Sequence, residues 1–327
     1  VAVTSLNKVV LFGRDTSVPP TTIATFNTNN VCQFNNYDVE MAGNSLMLSG
    51  CWGTLNVGGV VTSDRVVELD ISGARPSIVR TYPFVHGYPG QVAATSEFVF
   101  VTAEFPVPLL AIHSRAGRRL ITTVPYDMTP KDMAAFLIAT DDTVASYVIA
   151  VGNNLGVAGE QGRAPVIAHA LSSADPTRVV TVAIPSIASG LVKAIELVDT
   201  RPDGGQQVTA YLAGQMQTNN GLKYLASLDV LTDELTTYDV RFNNWPEGLS
   251  IDGDRMWVSG FFTSASVDGR KWKTPGVFGI NLKTNEVLRS GGLIQPVVTT
   301  TTDAPAPTPT PAPTTVELQP PAPTDDV

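Results

Sequence analysis

The chain has 327 residues, a net charge of −9, 43 % hydrophobic and only 16 % charged residues. Its basic residues are few and scattered, which argues against a phosphate-tracking nucleic-acid surface and against docking on anionic lipid. No run of eighteen apolar residues reads as a membrane-spanning helix, and two cysteines with three distant histidines, His86, His113 and His169, offer no metal-ligand spacing.

The chain opens VAVTSLNKVV, without an initiator Met or a basic leader, as expected of a mature or truncated start. Thr, Val, Ala and Gly dominate the composition, which favours strands and turns. Apolar runs end on a small residue at Gly13 (VVLFG), Gly50 (LMLSG), Ala103 (VFVTA), Gly152 (VIAVG), Gly214 (AYLAG) and Gly260 (MWVSG), at intervals of 37, 53, 49, 62 and 46 residues. A period near fifty residues is that of a propeller or array of four-stranded units.

Within each unit the signals recur in one order. A polar turn precedes the anchored run, as at Gly43-Asn44-Ser45, Asp203-Gly204-Gly205 and Asp252-Gly253-Asp254, and Asx-Gly chemistry there marks a hairpin. A second apolar run comes next and closes on another polar turn, as at Ser72-Gly73, Ala116-Gly117, Thr232-Asp233 and Thr284-Asn285, before a short last strand such as SIVRTYPF or LTTYDVRF. Four strands per unit predict an all-β protein, a β-propeller of six blades over residues 1–296, with seven blades as the alternative and an open pair of sandwiches as the remaining arrangement. The anchor glycines fit places where backbones approach closely beside a central channel. The best helical candidate is Met128–Ile138 (MTPKDMAAFLI).

Cys32 and Cys51 lie nineteen positions apart around one predicted hairpin. An isolated pair fits one disulfide, worth roughly 3 kcal/mol in the chain-entropy model, or else two buried thiols. Residues 297–327, VVTTTTDAPAPTPTPAPTTVELQPPAPTDDV, are Pro/Thr/Ala-rich. Such a segment cannot form a core and predicts a disordered, extended linker or stalk of up to about 90 Å, typical of O-glycosylated spacers. It leaves room for a further domain or anchor beyond it.

The units resemble the secreted β-propeller repeats of the SBBP and delta-60 type, which run as an apolar strand, a Gly-aromatic-Thr element, a variable loop and a strand closing on Asp or Asn. The copies that carry the resemblance are Val258-Ser259-Gly260-Phe261-Phe262-Thr263 with Gly276–Leu282, and Leu212-Ala213-Gly214 with Tyr224–Asp229. Ala103 departs from the pattern by replacing Gly, and the closing Asp is missing after Ile112 and Ala168. The resemblance implies extracellular binding or scaffolding and brings no named catalytic site.

No GxSxG, HExxH, P-loop or dinucleotide fingerprint is present, and no cofactor is expected. Asp252-Gly253-Asp254 lacks the spaced carboxylates of a calcium loop and reads as a hairpin turn. The site-like stretches are aromatic. In YPFVHGYPG, Tyr82, Phe84, His86 and Tyr88 alternate as if one face carried rings, suited to stacking sugars or peptide side chains at a propeller rim or to packing between blades. Trp245 and Glu247 lead into the first strand of the last unit, and Trp272 sits between Lys271 and Lys273 on a hairpin. Three functions fit these features. The first is an extracellular or cell-surface module binding a carbohydrate or protein ligand at the rim. The second is a carbohydrate-active enzyme, should Glu40, Glu97, Glu196, Glu247 and Asp252 converge with the roughly 5–9.5 Å carboxylate spacing such chemistry needs. The third is a structural component of a wall or surface layer.

Overall fold

Short apolar runs cut by Gly, Asp and Asn turns leave this chain no long helical stripe to bury, and among the described residues every named element is a β-strand. The computed structural model describes residues 2–5, 7–11, 19–27, 37–42, 45–73, 75–84, 87–104, 106–139, 144–158, 162–184, 186–199, 208–288 and 295–296. Val1–Pro296 is one compact unit. The second, Val297–Val327, lies outside the described residues, as do Gly13, Cys32 and His86.

The strands follow one another as antiparallel meanders. Blade 1 is β1 (Ala2–Ser5), β2 (Lys8–Leu11) and β3 (Thr21–Asn27). Then come β4 (Tyr37–Ala42), β5 (Ser45–Gly50), a hairpin of β6 (Thr54–Val57) and β7 (Val60–Thr62), β8 (Val66–Asp70) and β9 (Ser77–Thr81). Blade 2 is β4-β5-β8-β9, while the hairpin reaches back and extends blade 1 through β3. Blade 3 is β10 (Pro89–Ala94), β11 (Phe98–Ala103), β12 (Leu109–Ser114) and β13 (Leu120–Pro125). Blade 4 is β14 (Asp132–Ala139), β15 (Val144–Leu155), β16 (Ala164–Ser172) and β17 (Val179–Ala183). Blade 5 is β18 (Ile187–Asp199), β19 (Val208–Thr218), β20 (Gly221–Asp229) and β21 (Glu234–Tyr238).

After β22 (Val240–Phe242), blade 6 begins with β23 (Pro246–Asp252) and β24 (Arg255–Gly260). A second hairpin, β25 (Ser264–Val267) and β26 (Arg270–Lys273), interrupts it before β27 (Val277–Asn281), whose Ile280 bridges to Val287. This hairpin pairs with β22 on one side and with β28 (Gln295–Pro296) on the other. The two hairpins are matched: Phe26 packs on Trp52 beside the first and Phe242 on Phe262 beside the second, at 6.0 and 4.4 Å between ring centroids.

Two observations make the assembly a β-propeller. The first strands of successive blades touch in sequence, β1 on β4, β4 on β10, β10 on β14, β14 on β18 and β18 on β23, as strands lining a central channel must. The core is divided accordingly, with one apolar cluster between each consecutive pair of blades. Leu46, Leu48, Trp52 and Phe26 lie between blades 1 and 2; Met47, Tyr82, Val99 and Val101 between 2 and 3; Phe100, Ile112, Tyr126 and Val148 between 3 and 4. Ile149, Val166, Val192 and Leu212 lie between 4 and 5, and Leu225, Met256, Phe262 and Phe278 between 5 and 6. A single sheet cannot cover both its faces, and stacking on neighbours does so.

Two sequence expectations change. Residues 128–138 are not helical: Asp132–Ala139 is β14, paired residue for residue with β15. The run 132–139 is nearly all apolar although its residues alternate between buried and half-buried from Ala134 to Ile138, so the sequence does not display the polar alternation that marks a half-exposed strand. The long 152-to-214 interval contains no extra blade among the described residues; it reflects 12-residue β15 and 13-residue β18. The close approach at the anchor glycines is present. A Cβ on Gly214 would lie 2.2 Å from the Leu191 carbonyl oxygen, and one on Gly260 2.3 Å from that of Trp245.

Candidate functional site

Two places gather chemistry: a rim patch at the blade 5–blade 6 junction and a set of carboxyl groups in the channel.

The rim patch is built by the turn into β23 and by the Gly-aromatic-aromatic element after β24. Asn244 Oδ1 accepts the Trp245 N–H at 2.9 Å, and the Trp245 carbonyl accepts the Phe261 N–H at 3.2 Å, so the two aromatic residues are fixed side by side through their backbones. Trp245 is 44 % and Phe261 74 % exposed. Lys193 of β18 sits 5.4 Å from the centroid of the Trp245 ring and donates to both oxygens of Glu247, at 2.9 and 3.1 Å. The ammonium group thus holds one face of the indole and one carboxylate, a cation–π arrangement. Asn243 Oδ1 accepts the N–H groups of Thr263 and Ser264 at 2.9 Å each, which fixes the loop that carries Phe261.

The channel group comes from three first strands. Asp38 Oδ2 accepts the N–H of Val92 in the next blade at 2.7 Å, and Asp132 Oδ2 accepts that of Ile195 at 2.9 Å. Glu196 Oε2 accepts that of Ile251 at 3.0 Å. The first strand of each blade has an unpaired edge, and these carboxyl groups satisfy N–H groups that would otherwise be orphaned there. Glu40, one pleat along from Asp38, faces Asp38, Asp132 and Glu196 electrostatically. Burial pushes Asp38 up to about 6, and burial with the Asp38 charge pushes Asp132 up to about 8. Burial raises Glu196 to about 7, and burial with the three neighbouring carboxylates lifts Glu40 well above its ordinary value. No grouping with metal-ligand geometry occurs among the described residues.

The residues expected from sequence separate accordingly. Trp245 and Glu247 come together at the rim. Tyr82 does not belong there: it is fully buried, and its hydroxyl donates to Glu68 Oε2 at 2.8 Å, so its ring packs between blades 2 and 3 and offers no stacking face. His86 lies outside the described residues. Tyr88 is half-buried with the Arg65 guanidinium 5.6 Å from its ring centroid. Trp272 is half-buried and packs against the blade 5–6 core from the hairpin β25–β26, away from the Trp245 patch by sequence and by strand. Of the carboxylates, Glu40 and Glu196 meet in the channel, whereas Glu97 accepts a hydrogen bond from Ser173, and Glu247 is held by Lys193. Asp252 ends β23 on its hairpin turn. Cys51 is buried and no cysteine is free among the described residues; its expected partner Cys32 lies outside them.

Four residues of these two places carry no plain mark in the sequence. Phe261 is only partly legible by aligning Gly50-Cys51-Trp52 with Gly260-Phe261-Phe262: the third residue is core in both copies, but the middle one is buried as Cys51 and exposed as Phe261. Asp38 and Asp132 occupy one register position, opposite Ser49 and Val151, each just before its anchor. Lys193, 54 residues from Glu247, has no local signal.

No family model and no curated protein matches the chain. Among solved structures it is similar to the WD40 β-propeller domain of Doa1, with a TM-score of 0.40 and 12 % identity over 78 % of this chain and 68 % of that one. It is also similar to the computationally designed Ika8 protein, at 0.37 and 11 % over 78 % and 86 %.

Proposed function

We propose that this propeller is an extracellular or cell-surface binding module whose rim patch at Trp245 takes a carbohydrate ligand, displayed on the Pro/Thr-rich stalk 297–327. The observation that carries the reading is the exposed indole of Trp245, held by the Lys193 ammonium and bonded through its backbone to the exposed Phe261. An oriented aromatic face beside Glu247 and the amides of Asn243 and Asn244 suits the apolar face of a sugar ring, with polar groups at its edge. The Cys32–Cys51 disulfide and an oxidising location belong to the same proposal.

The rival enzyme reading needs an open pair of carboxylates. The channel group supplies half-buried carboxylates between first strands, three of them already engaged with backbone N–H groups, which supports a binding role over hydrolysis. A second reading, a protein ligand on the same patch, is favoured by the 74 % exposure of Phe261, a ring of the kind that anchors protein interfaces. The test is a glycan array with the full chain, expressed oxidised. Selective glycan capture that is lost in Trp245→Ala supports the carbohydrate reading. No capture on any glycan overturns it in favour of a protein ligand, and capture that survives Trp245→Ala overturns the site.

A further inference from the structure

Three of the channel carboxyl groups each accept one hydrogen bond from the next blade, and Asp132 also accepts the N–H of its neighbour Met133 through Oδ1 at 2.8 Å. Asp38 joins blade 2 to blade 3, Asp132 joins blade 4 to blade 5, and Glu196 joins blade 5 to blade 6. The half-buried Glu40 lies beside them and faces three more carboxyl groups, from its own strand and from β14 and β18. We propose that Asp38, Glu40, Asp132 and Glu196 form a protonation-controlled latch that holds the blades together around the channel and loosens as the group ionises.

Among the described residues the charges around the latch give it no counterweight. On β18, Lys193 is committed to Glu247. Lys131, just before β14, is exposed. The neighbouring strands β1, β10 and β5 carry no ionisable side chain, and β23 adds only Glu247 and Asp252. Each proton that leaves therefore places another negative charge in a half-buried space already holding like charge. Two responses relieve it: keeping the proton, or parting the first strands to admit water and cations. The raised pKa values of all four groups express the first.

The second follows by linkage. These acids bind protons more tightly folded than unfolded, where their values are near 3.8 and 4.5. Their contribution to stability is complete below about pH 4 and is lost as pH rises through the range from about 6 to about 8. The first strands are where the loss acts, because they carry the groups that come to repel one another: the N–H bonds favour the ionised form, and the mutual repulsion of the carboxylates is what parts the strands. The latch does not depend on what the rim binds.

The test is amide hydrogen exchange of the full chain between pH 5 and pH 9, corrected for intrinsic rates. Protection at Val92, Ile195 and Ile251, the three donors to the latch, should fall by at least about tenfold, the effect of one pKa unit, relative to second-strand amides such as Leu212 and Ile149. Asp132→Asn with Glu196→Gln keeps an acceptor at each place and removes two charges, and should abolish most of the fall. Flat protection in the native chain, or an equal fall in the double variant, overturns the latch. Should the double variant not fold, carboxyl-carbon NMR titration of the native protein decides instead: midpoints of these four groups at or below about 4 overturn the proposal, and midpoints spread above 5 support it.

Discussion

Arg115, in the turn after β12, donates to Glu68 of β8 at 2.7 Å, so a cation of blade 3 is inserted into the polar heart of blade 2. Arg80 reaches the other Glu68 oxygen at 3.0 Å, where the Tyr82 hydroxyl also donates, and a second Arg115 nitrogen caps the Thr95 carbonyl at 2.8 Å. Glu68 is 1 % exposed. Burial alone would raise its pKa, but hydrogen bonds from Arg115 and Tyr82, the Arg115 charge and the Arg80 bond outweigh burial and bring it down to about 2. Glu68→Ala leaves two guanidinium groups and a buried hydroxyl without their acceptor and should destabilise the protein by about 3–5 kcal/mol, measured by urea denaturation. The folded pKa is depressed, so this clamp stabilises fully above about pH 4.5 and fails as pH falls towards about 2. A Glu68→Ala protein with unchanged acid sensitivity in that window would show that the clamp is not the group that titrates.

One blade further on, Tyr126 and His169 repeat the device with a neutral pair. The Tyr126 Oη and His169 Nε2 share a hydrogen bond of 2.6 Å, and the rings meet edge to face at 5.6 Å. Burial lowers the His169 pKa to about 4, so the imidazole is held neutral. Its stability contribution is present above the unfolded value of 6.5 and is lost as pH falls through about 4. Tyr126→Phe removes one partner from a buried ring nitrogen and should cost about 1–3 kcal/mol. An NMR titration placing the His169 midpoint near 6.5 would contradict the neutral, buried assignment.

How far the sequence discloses this molecule depends on whether a residue's role is local. The anchors Gly214 and Gly260 are legible because a small residue closing the apolar run of the second strand recurs with the repeat, although β19 itself continues past Gly214 to Thr218. Tyr82 misleads because alternating rings look the same whether they face solvent or the next blade. The deciding partner, Glu68, lies fourteen residues back in another strand. Asp38 and Asp132 look singly like turn residues before strands; only register shows that they occupy equivalent places and bond the following blade. The rim patch is half visible, as Trp245 and Glu247, while Lys193, which orders both, comes from the previous blade.

The anchor glycines make a sharper test of close backbone approach. At Gly214 a methyl group would meet the first-strand backbone of Leu191 at 2.2 Å, and at Gly260 the Trp245 carbonyl oxygen just before β23 at 2.3 Å, atoms that cannot swing aside as a side chain can. Gly214→Ala should therefore cost about 1–3 kcal/mol or more by overpacking, detected as a lower urea midpoint. Gly73→Ala is the comparison: its new Cβ would meet only the Arg75 carbonyl oxygen, at an ordinary 3.7 Å, and stability should change by less than about 0.5 kcal/mol. Equal effects at the two positions would mean that blade 5 shifts freely to accommodate a methyl group.

The rim patch makes its own demand even before a ligand is known. Lys193 is largely shielded and Glu247 partly so, with side-chain exposures of 17 % and 33 %, and the ammonium group is the link between the carboxylate and the indole. Lys193→Met keeps the apolar stem and deletes both the ion pair and the cation beneath the ring, a loss of about 0.5–1 kcal/mol for a partly exposed cation–π contact. Trp245 should then gain rotational freedom and contact with water. The readout is the difference in tryptophan emission and anisotropy between each protein and its Trp245→Phe counterpart, which isolates this indole from the other three. A red-shifted, less anisotropic difference signal in Lys193→Met is expected. An unchanged signal would show that the Asn244 and Phe261 backbone bonds alone orient the ring, and that Lys193 serves Glu247 only.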